Sequence, residues 1–241
     1  MTRVLPALLL ILLACENPPE QRAAEEPPAP VQEQETTLPA VDSGAPKLLP
    51  ADQADESFRD FRGGLLETLA RKDTTALYAA VAQDIRTSFG PVGGIEDFRR
   101  MWVMDDPATR LWDDLARVLN MGGAFLSDSL FAAPYVYAVW PDTIDAFEFV
   151  AVTSPRAAVF RAPQAGASKL GTAAYSILRL EEWRGLAEAA TQADTSWAGV
   201  VLPDGRIGWL RAEDVHSPVG WRAVFERRDG RWLMVAFVAG D

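Results

Sequence analysis

The chain has 241 residues, a formal net charge of −11 and a hydrophobic content of 49%. That balance excludes a nucleic-acid partner held through phosphates, which needs clustered Lys and Arg, and it excludes attachment to anionic lipid by charge. A single cysteine excludes an internal disulfide, and a single histidine leaves any zinc site short of ligands.

The first element is a leader. A short basic start, Met1-Thr2-Arg3, precedes the uncharged run Val4 to Ala14, which is long enough for a signal-peptide apolar region and too short to span a bilayer. The run ends at Cys15. The stretch Leu12-Leu13-Ala14-Cys15 resembles the lipobox of bacterial lipoproteins. The resemblance implies a lipoprotein signal peptide over residues 1–14, lipid attachment at Cys15, and a partner that is the membrane itself, reached through the lipid anchor. It also implies a place in the cell envelope. Glu16, not Asp, follows the cysteine, which in a Gram-negative cell implies the outer membrane, facing the periplasm.

Residues 15–50 read as a disordered tether. From residue 16 onward they carry eight prolines, seven acidic residues and no aromatic residue, too little apolar surface to offset chain entropy. As a flexible coil such a segment spans roughly 30–35 Å.

The next segment, 51–146, reads as helical. Phe58, Phe61, Leu65 and Leu69 recur three or four apart and make one apolar stripe, interrupted by Gly63-Gly64. Asp73 suits the N-cap of a second helix with Leu77, Tyr78 and Val81 as its apolar set. Ile95, Phe98 and Trp102 mark a third. A fourth has Asp106 as cap, Pro107 at the first helical position, Leu111, Leu115 and Val118 on one face, and Gly122 as its left-handed stop.

After Gly123 the period changes. Tyr135–Trp140, Phe147–Val152, Tyr175–Leu180, Trp197–Leu202 and Arg206–Leu210 are short, rich in β-branched and aromatic residues, and separated by turns. The chain closes with two strands around Asp229-Gly230, a hairpin signal because both turn positions require positive φ. A lone hairpin is barely stable in water, so residues 217–241 are expected to dock on the helical segment near Tyr135–Trp140. The expected fold class is α+β: an N-terminal helical half with a C-terminal β-hairpin, plus a small SH3-like β-barrel inserted between them over 147–216.

That inserted region resembles the bacterial SH3 (SH3b) family. The residues that carry the resemblance are Trp197, the turn Asp204-Gly205, the pair Gly208-Trp209 and the run Ala212 to Val215, in the family's order. Val159-Phe160-Arg161-Ala162-Pro163 and Lys169-Leu170-Gly171-Thr172 match the family's start less closely. The resemblance implies a binding module of an exported protein, with peptidoglycan or an envelope protein or peptide as partner. It implies ligand contacts from aromatic residues, of which Trp183, Trp197 and Phe160 are the candidates.

No catalytic residue, metal ligand or cofactor motif emerges. GxxxxGK[ST], GxGxxG, HExxH and GxSxG are all missing. Carboxylates remain, and Asp142, Asp145 and Glu148 are the three without a structural reading; they carry the alternative of a wall-remodelling hydrolase. A structural accessory subunit of an envelope complex is the other alternative.

Overall fold

The computed structural model describes residues 38–90, 93–184 and 196–240. Two sheets and five short helices make up the described chain, and strands predominate over helix. Three helices stand where the sequence places them. The first, α1 (Glu56–Arg71), is capped by Asp55, whose side chain accepts from the Phe58 N–H, and buries Phe58, Leu65 and Leu69. The second, α2 (Thr74–Ala79), is capped by Asp73, which accepts from the Ala76 N–H. The third, α3 (Ile95–Met101), buries Ile95 and Phe98.

The fourth helix, α4 (Leu111–Asn120), starts later than Asp106-Pro107 predicts. Arg110 stands at its N-cap and makes no side-chain capping bond to the helix N-terminus, while Asp106 Oδ1 accepts from Ala108 N at 2.8 Å in a separate turn. Gly122 stops it at φ 74°; a Cβ there would lie 2.5 Å from the Ala51 carbonyl oxygen.

The expected helical half does not exist as such. Val81, read as part of the apolar set of the second helix, instead opens the strand β1 (Val81–Arg86), and two more strands follow, β2 (Ala124–Ser127) and β3 (Leu130–Ala133). Tyr135–Trp140, expected as a strand, begins with the short helix α5 (Tyr135–Ala138), which buries Tyr135 and Val136. The C-terminal hairpin is β11 (Arg222–Arg228) and β12 (Arg231–Val238), turned at Asp229 and Gly230, both of positive φ. It joins the first sheet in the order β1-β12-β11-β3-β2, with β1 parallel to β12 and β11 antiparallel to β3. Its partners are therefore Leu130–Ala133 and Val81–Arg86, not Tyr135–Trp140.

The helices cover one face of this sheet. Phe58 stacks on Phe131 at 3.9 Å between ring centroids and meets Trp232 edge-on at 5.1 Å. Phe225, Met234 and Phe237 complete the cluster, fully buried. Each such side chain contributes about 1.5–3 kcal/mol by burial, so the sheet and the helices depend on one another.

Between β3 and β11 the chain builds the second sheet: β4 (Phe149–Val152), β5 (Ala157–Phe160), β6 (Lys169–Ala173), β7 (Ile177–Arg184), β8 (Trp197–Val201), β9 (Ile207–Arg211) and β10 (Val215–His216). Their order is β10-β4-β7-β8-β9-β5-β6. This is an open sheet and not the expected SH3-like barrel. Closure would require β10 to meet β6, but β10 pairs with β4 and β6 pairs with β5.

The outer edge of β6 is occupied by residues that the composition assigns to the tether. Val41 N donates to Thr172 O at 2.9 Å and Thr172 N to Pro39 O at 2.8 Å; further on, Leu48 N donates to Tyr175 O and Ile177 N to Pro46 O. Asp42, 3% exposed, accepts from Ala174 N at 2.9 Å and from Lys47 Nζ at 2.5 Å. Gly171 permits this approach, since a Cβ there would lie 2.3 Å from the Pro39 oxygen. The rest of the expected tether, with Cys15, lies outside the described residues.

The two sheets meet at α4 and α5. One guanidinium nitrogen of Arg117 donates to the carbonyls of Ala212, Glu213 and Val215 at 3.0–3.1 Å. Leu48, Tyr135, Val136, Ala151 and Ile177 form a small apolar cluster joining α5 to the second sheet.

Candidate functional site

The aromatic residues named from the SH3b resemblance fall in one part of the second sheet. Phe160 is 9% exposed and Trp197 3%, and their rings meet edge-on at 5.3 Å. With Trp209, 7% exposed, they form a cluster of their own. Guanidinium groups cover two of the rings, Arg211 over Trp197 at 5.3 Å and Arg184 over Trp209 at 5.0 Å. Trp183 is half-buried and packs toward the core of the sheet. The space for the Trp209 ring comes from Gly199, where a Cβ would lie 3.0 Å from two ring atoms. The neighbouring Gly208 instead accommodates Val159, 2.5 Å from the position of its absent Cβ. These faces are engaged with one another and with arginines, and none of these rings lines a described cavity.

Asp142, Asp145 and Glu148 lie exposed in the turn before β4, and Asp145 Oδ1 accepts from Phe147 N at 2.8 Å. None of them lines a described cavity. No group of three or more His, Cys, Asp or Glu side chains able to hold a metal occurs among the described residues.

Sequence reasoning missed the concave face of the first sheet opposite the helices. A cavity of about 340 Å³ opens there. Strand alternation builds it. On β11, Ala223 and Phe225 face the core, so Arg222, Val224, Glu226 and Arg228 face the cavity. On β12 the register slips opposite Val224 and Phe225. That bulge turns both Val235 and Ala236 toward the cavity and returns Phe237 to the core. Asp84, Arg86 and Ser88 enter from β1 and its end, Leu130 from β3, and Phe89 and Tyr137 cap the opening.

The charges are arranged unevenly. Arg228 bridges Asp84 at 2.7 Å and Glu226 at 2.5 Å, and the hydrogen bond from Arg228 holds the Asp84 carboxyl below the usual carboxylate range. Arg222 is 6% exposed. Its guanidinium donates to Gly220 O at 3.1 Å and Gly240 O at 2.7 Å and lies 4.9 Å from the Phe89 ring and 5.2 Å from the Tyr137 ring. Arg86 is exposed at the cavity, without a side-chain partner among the described residues. Three arginines and two carboxylates line the site, a positive surplus in a chain of net charge −11. Beside them stand Leu130, Val224, Val235 and Val238, an apolar wall. Such a site offers a cationic end and an apolar side to one small molecule. The only sequence signal for it is the spacing of Arg222, Glu226 and Arg228 at every second or fourth position of a terminal strand.

In comparisons with known proteins, no family model matches the chain, and no curated protein or solved structure matches it.

Proposed function

We propose that this chain is a lipid-anchored cell-envelope protein that binds a ligand without transforming it, and that the ligand is a small anionic amphiphile seated in the cavity on the first sheet. The anchor reading is supported by the uncharged run Val4–Ala14 ending at Cys15. No helix among the described residues is long and apolar enough to cross a membrane. The observation that carries the binding reading is the surplus of arginine beside an apolar wall in one cavity. A carboxylate or phosphate head lies against Arg86 and Arg222, and an acyl or aryl body lies along Val224 and Val235. The two carboxylates present are both tied to Arg228, which leaves neither as a free acid or base and favours binding over catalysis.

Two measurements test this reading. Labelled palmitate is incorporated by the full chain and lost in Cys15→Ser; incorporation in that variant overturns the anchor. The full chain carrying Cys15→Ser binds decanoate in preference to decanol and decyltrimethylammonium, by calorimetric titration, and Arg86→Ala weakens decanoate by about tenfold, ~1.4 kcal/mol. Equal affinity for the three probes, or no effect of Arg86→Ala, overturns the anionic-amphiphile assignment.

A further inference from the structure

The cavity on the first sheet has two unlike ends. At its opening the Arg222 guanidinium lies against the Phe89 and Tyr137 rings, with Ser88 on the same side. At the other end Arg228 is bonded to two carboxylates at once, Glu226 of its own strand at 2.5 Å and Asp84 of β1 at 2.7 Å. Strands β11 and β1 are not neighbours, since β12 lies between them. They stand roughly 10 Å apart, and all three charged residues line the cavity. The bridge they form therefore passes over β12 on the cavity face.

The register places the crossing. Glu226 pairs with Leu233 of β12, and Asp84 falls between Val81 and Arg86, which pair with Met234 and Ala236. The bridge thus crosses β12 between Leu233 and Val235. Val235 lines the cavity. Leu233 faces the same side, because cross-strand partners share a face, yet it lies outside the lining and is half-buried. The apolar surface of β12 continues past the bridge, and the cavity does not. The side chains of Asp84 and Arg228 are 67% and 37% exposed. Ion pairs so exposed add little to stability; the consequence of this one is steric.

We propose that the Asp84–Arg228–Glu226 bridge is a strap that sets ligand length: it stops an acyl body after Val235 and makes the cavity selective for medium-chain over long-chain anions. The inference rests on the anionic-amphiphile reading of this cavity, with the head at Arg86 and Arg222. From Arg222 to Glu226 the strand advances four residues, roughly 13 Å. A body longer than that span meets a guanidinium and two carboxylates, whose desolvation no methylene compensates. With the strap detached, the added methylenes reach Leu233 and gain by burial.

The test is calorimetric titration of the full chain carrying Cys15→Ser with hexanoate, octanoate, decanoate, dodecanoate and tetradecanoate, each below micelle formation. Affinity is expected to rise by about tenfold per two methylenes up to decanoate and then to level, with tetradecanoate within about threefold of decanoate. In Asp84→Ala and in Arg228→Ala the rise continues, and tetradecanoate binds at least about tenfold more tightly than decanoate. The ratio between chain lengths is the readout, because each variant also changes the charge of the site. Asp204→Ala removes the same charge as Asp84→Ala from an exposed pair with Arg206 in the second sheet, and it leaves the levelling in place. Leu233→Ser added to Asp84→Ala restores the limit. Bound decanoate with an affinity that keeps rising through tetradecanoate in the parent chain overturns the strap alone. So does the same levelling in both Asp84→Ala and Arg228→Ala. Failure of every alkanoate to bind overturns the anionic-amphiphile reading and the strap with it.

Discussion

Trp232 Nε1 donates to Ser57 Oγ at 2.7 Å, a bond between residues 175 positions apart that pins the first turn of α1 to the terminal hairpin. The same ring meets Phe58 edge-on at 5.1 Å. Trp232→Phe keeps an aromatic ring but removes the donor and part of the buried area. The expected cost is about 1–2 kcal/mol, read by urea unfolding, and the loss is shared by helix and sheet signals because both belong to one core. Separate transitions for the two would contradict that unity.

A second prediction concerns pH. His216 is 9% exposed and its Nε2 lies 3.1 Å from the Trp221 carbonyl oxygen, so the neutral ring donates there. Burial, reinforced by the charge of Arg117, pushes its pKa down to about 3 from 6.5. A depressed histidine is neutral when folded and charged when unfolded at mildly acid pH. Its stabilising contribution is complete above pH 6.5 and declines as pH falls from there toward 3. His216→Gln should flatten the stability profile across that window while lowering stability at neutral pH. An unchanged slope between pH 4 and 6.5 would show that His216 titrates normally.

Gly63 and Gly64 lie exposed inside α1, and a Cβ at either meets nothing within 4 Å. No neighbour approaches this face closely. Gly63→Ala should therefore stabilise by about 0.8–1 kcal/mol, which corresponds to about 2–4 °C in Tm. A fall in Tm would reveal a contact at this face.

Asp42 holds the segment along β6 in place. Burial alone would raise its pKa, but the hydrogen bonds from Lys47 and the Ala174 backbone hold it below the usual value. Asp42→Ala leaves the Ala174 N–H without that acceptor and should cost about 1–3 kcal/mol. Hydrogen exchange reads the effect: Val41 and Leu48 amides lose protection before those of β8. Uniform loss across both sheets would mean that the segment unfolds only with the whole.

What can be read from this sequence is mostly local. Asp73 before a short apolar set and Asp229-Gly230 between two apolar runs carry their own explanation, and both stand as expected. Val81–Arg86 does not, because Leu77, Tyr78 and Val81 satisfy a helical period. What makes the segment a strand is Met234 and Ala236, its partners about 150 positions later. Tyr135–Trp140 has strand composition, yet Tyr135 and Val136 are buried from a single helical turn against Ala151 and Ile177. The barrel expected for 147–216 fails at its ends, where β4 takes β10 and residues 39–41 lie along β6. The cavity is less visible still. It depends on the bulge that turns Val235 and Ala236 to one face, a displacement no alternation pattern announces.

The parallel pairing of β1 with β12 also constrains the order of events during synthesis. Phe58, Leu65 and Leu69 appear early in the chain, but the strands that cover them end at Val238. Until the hairpin has emerged, the nascent polypeptide has an uncovered apolar helix face and no closed core, a high-contact-order arrangement that folds slowly. Such a chain stays without a closed core until nearly its whole length has been made. Over the same interval it needs a chaperone for its apolar helices.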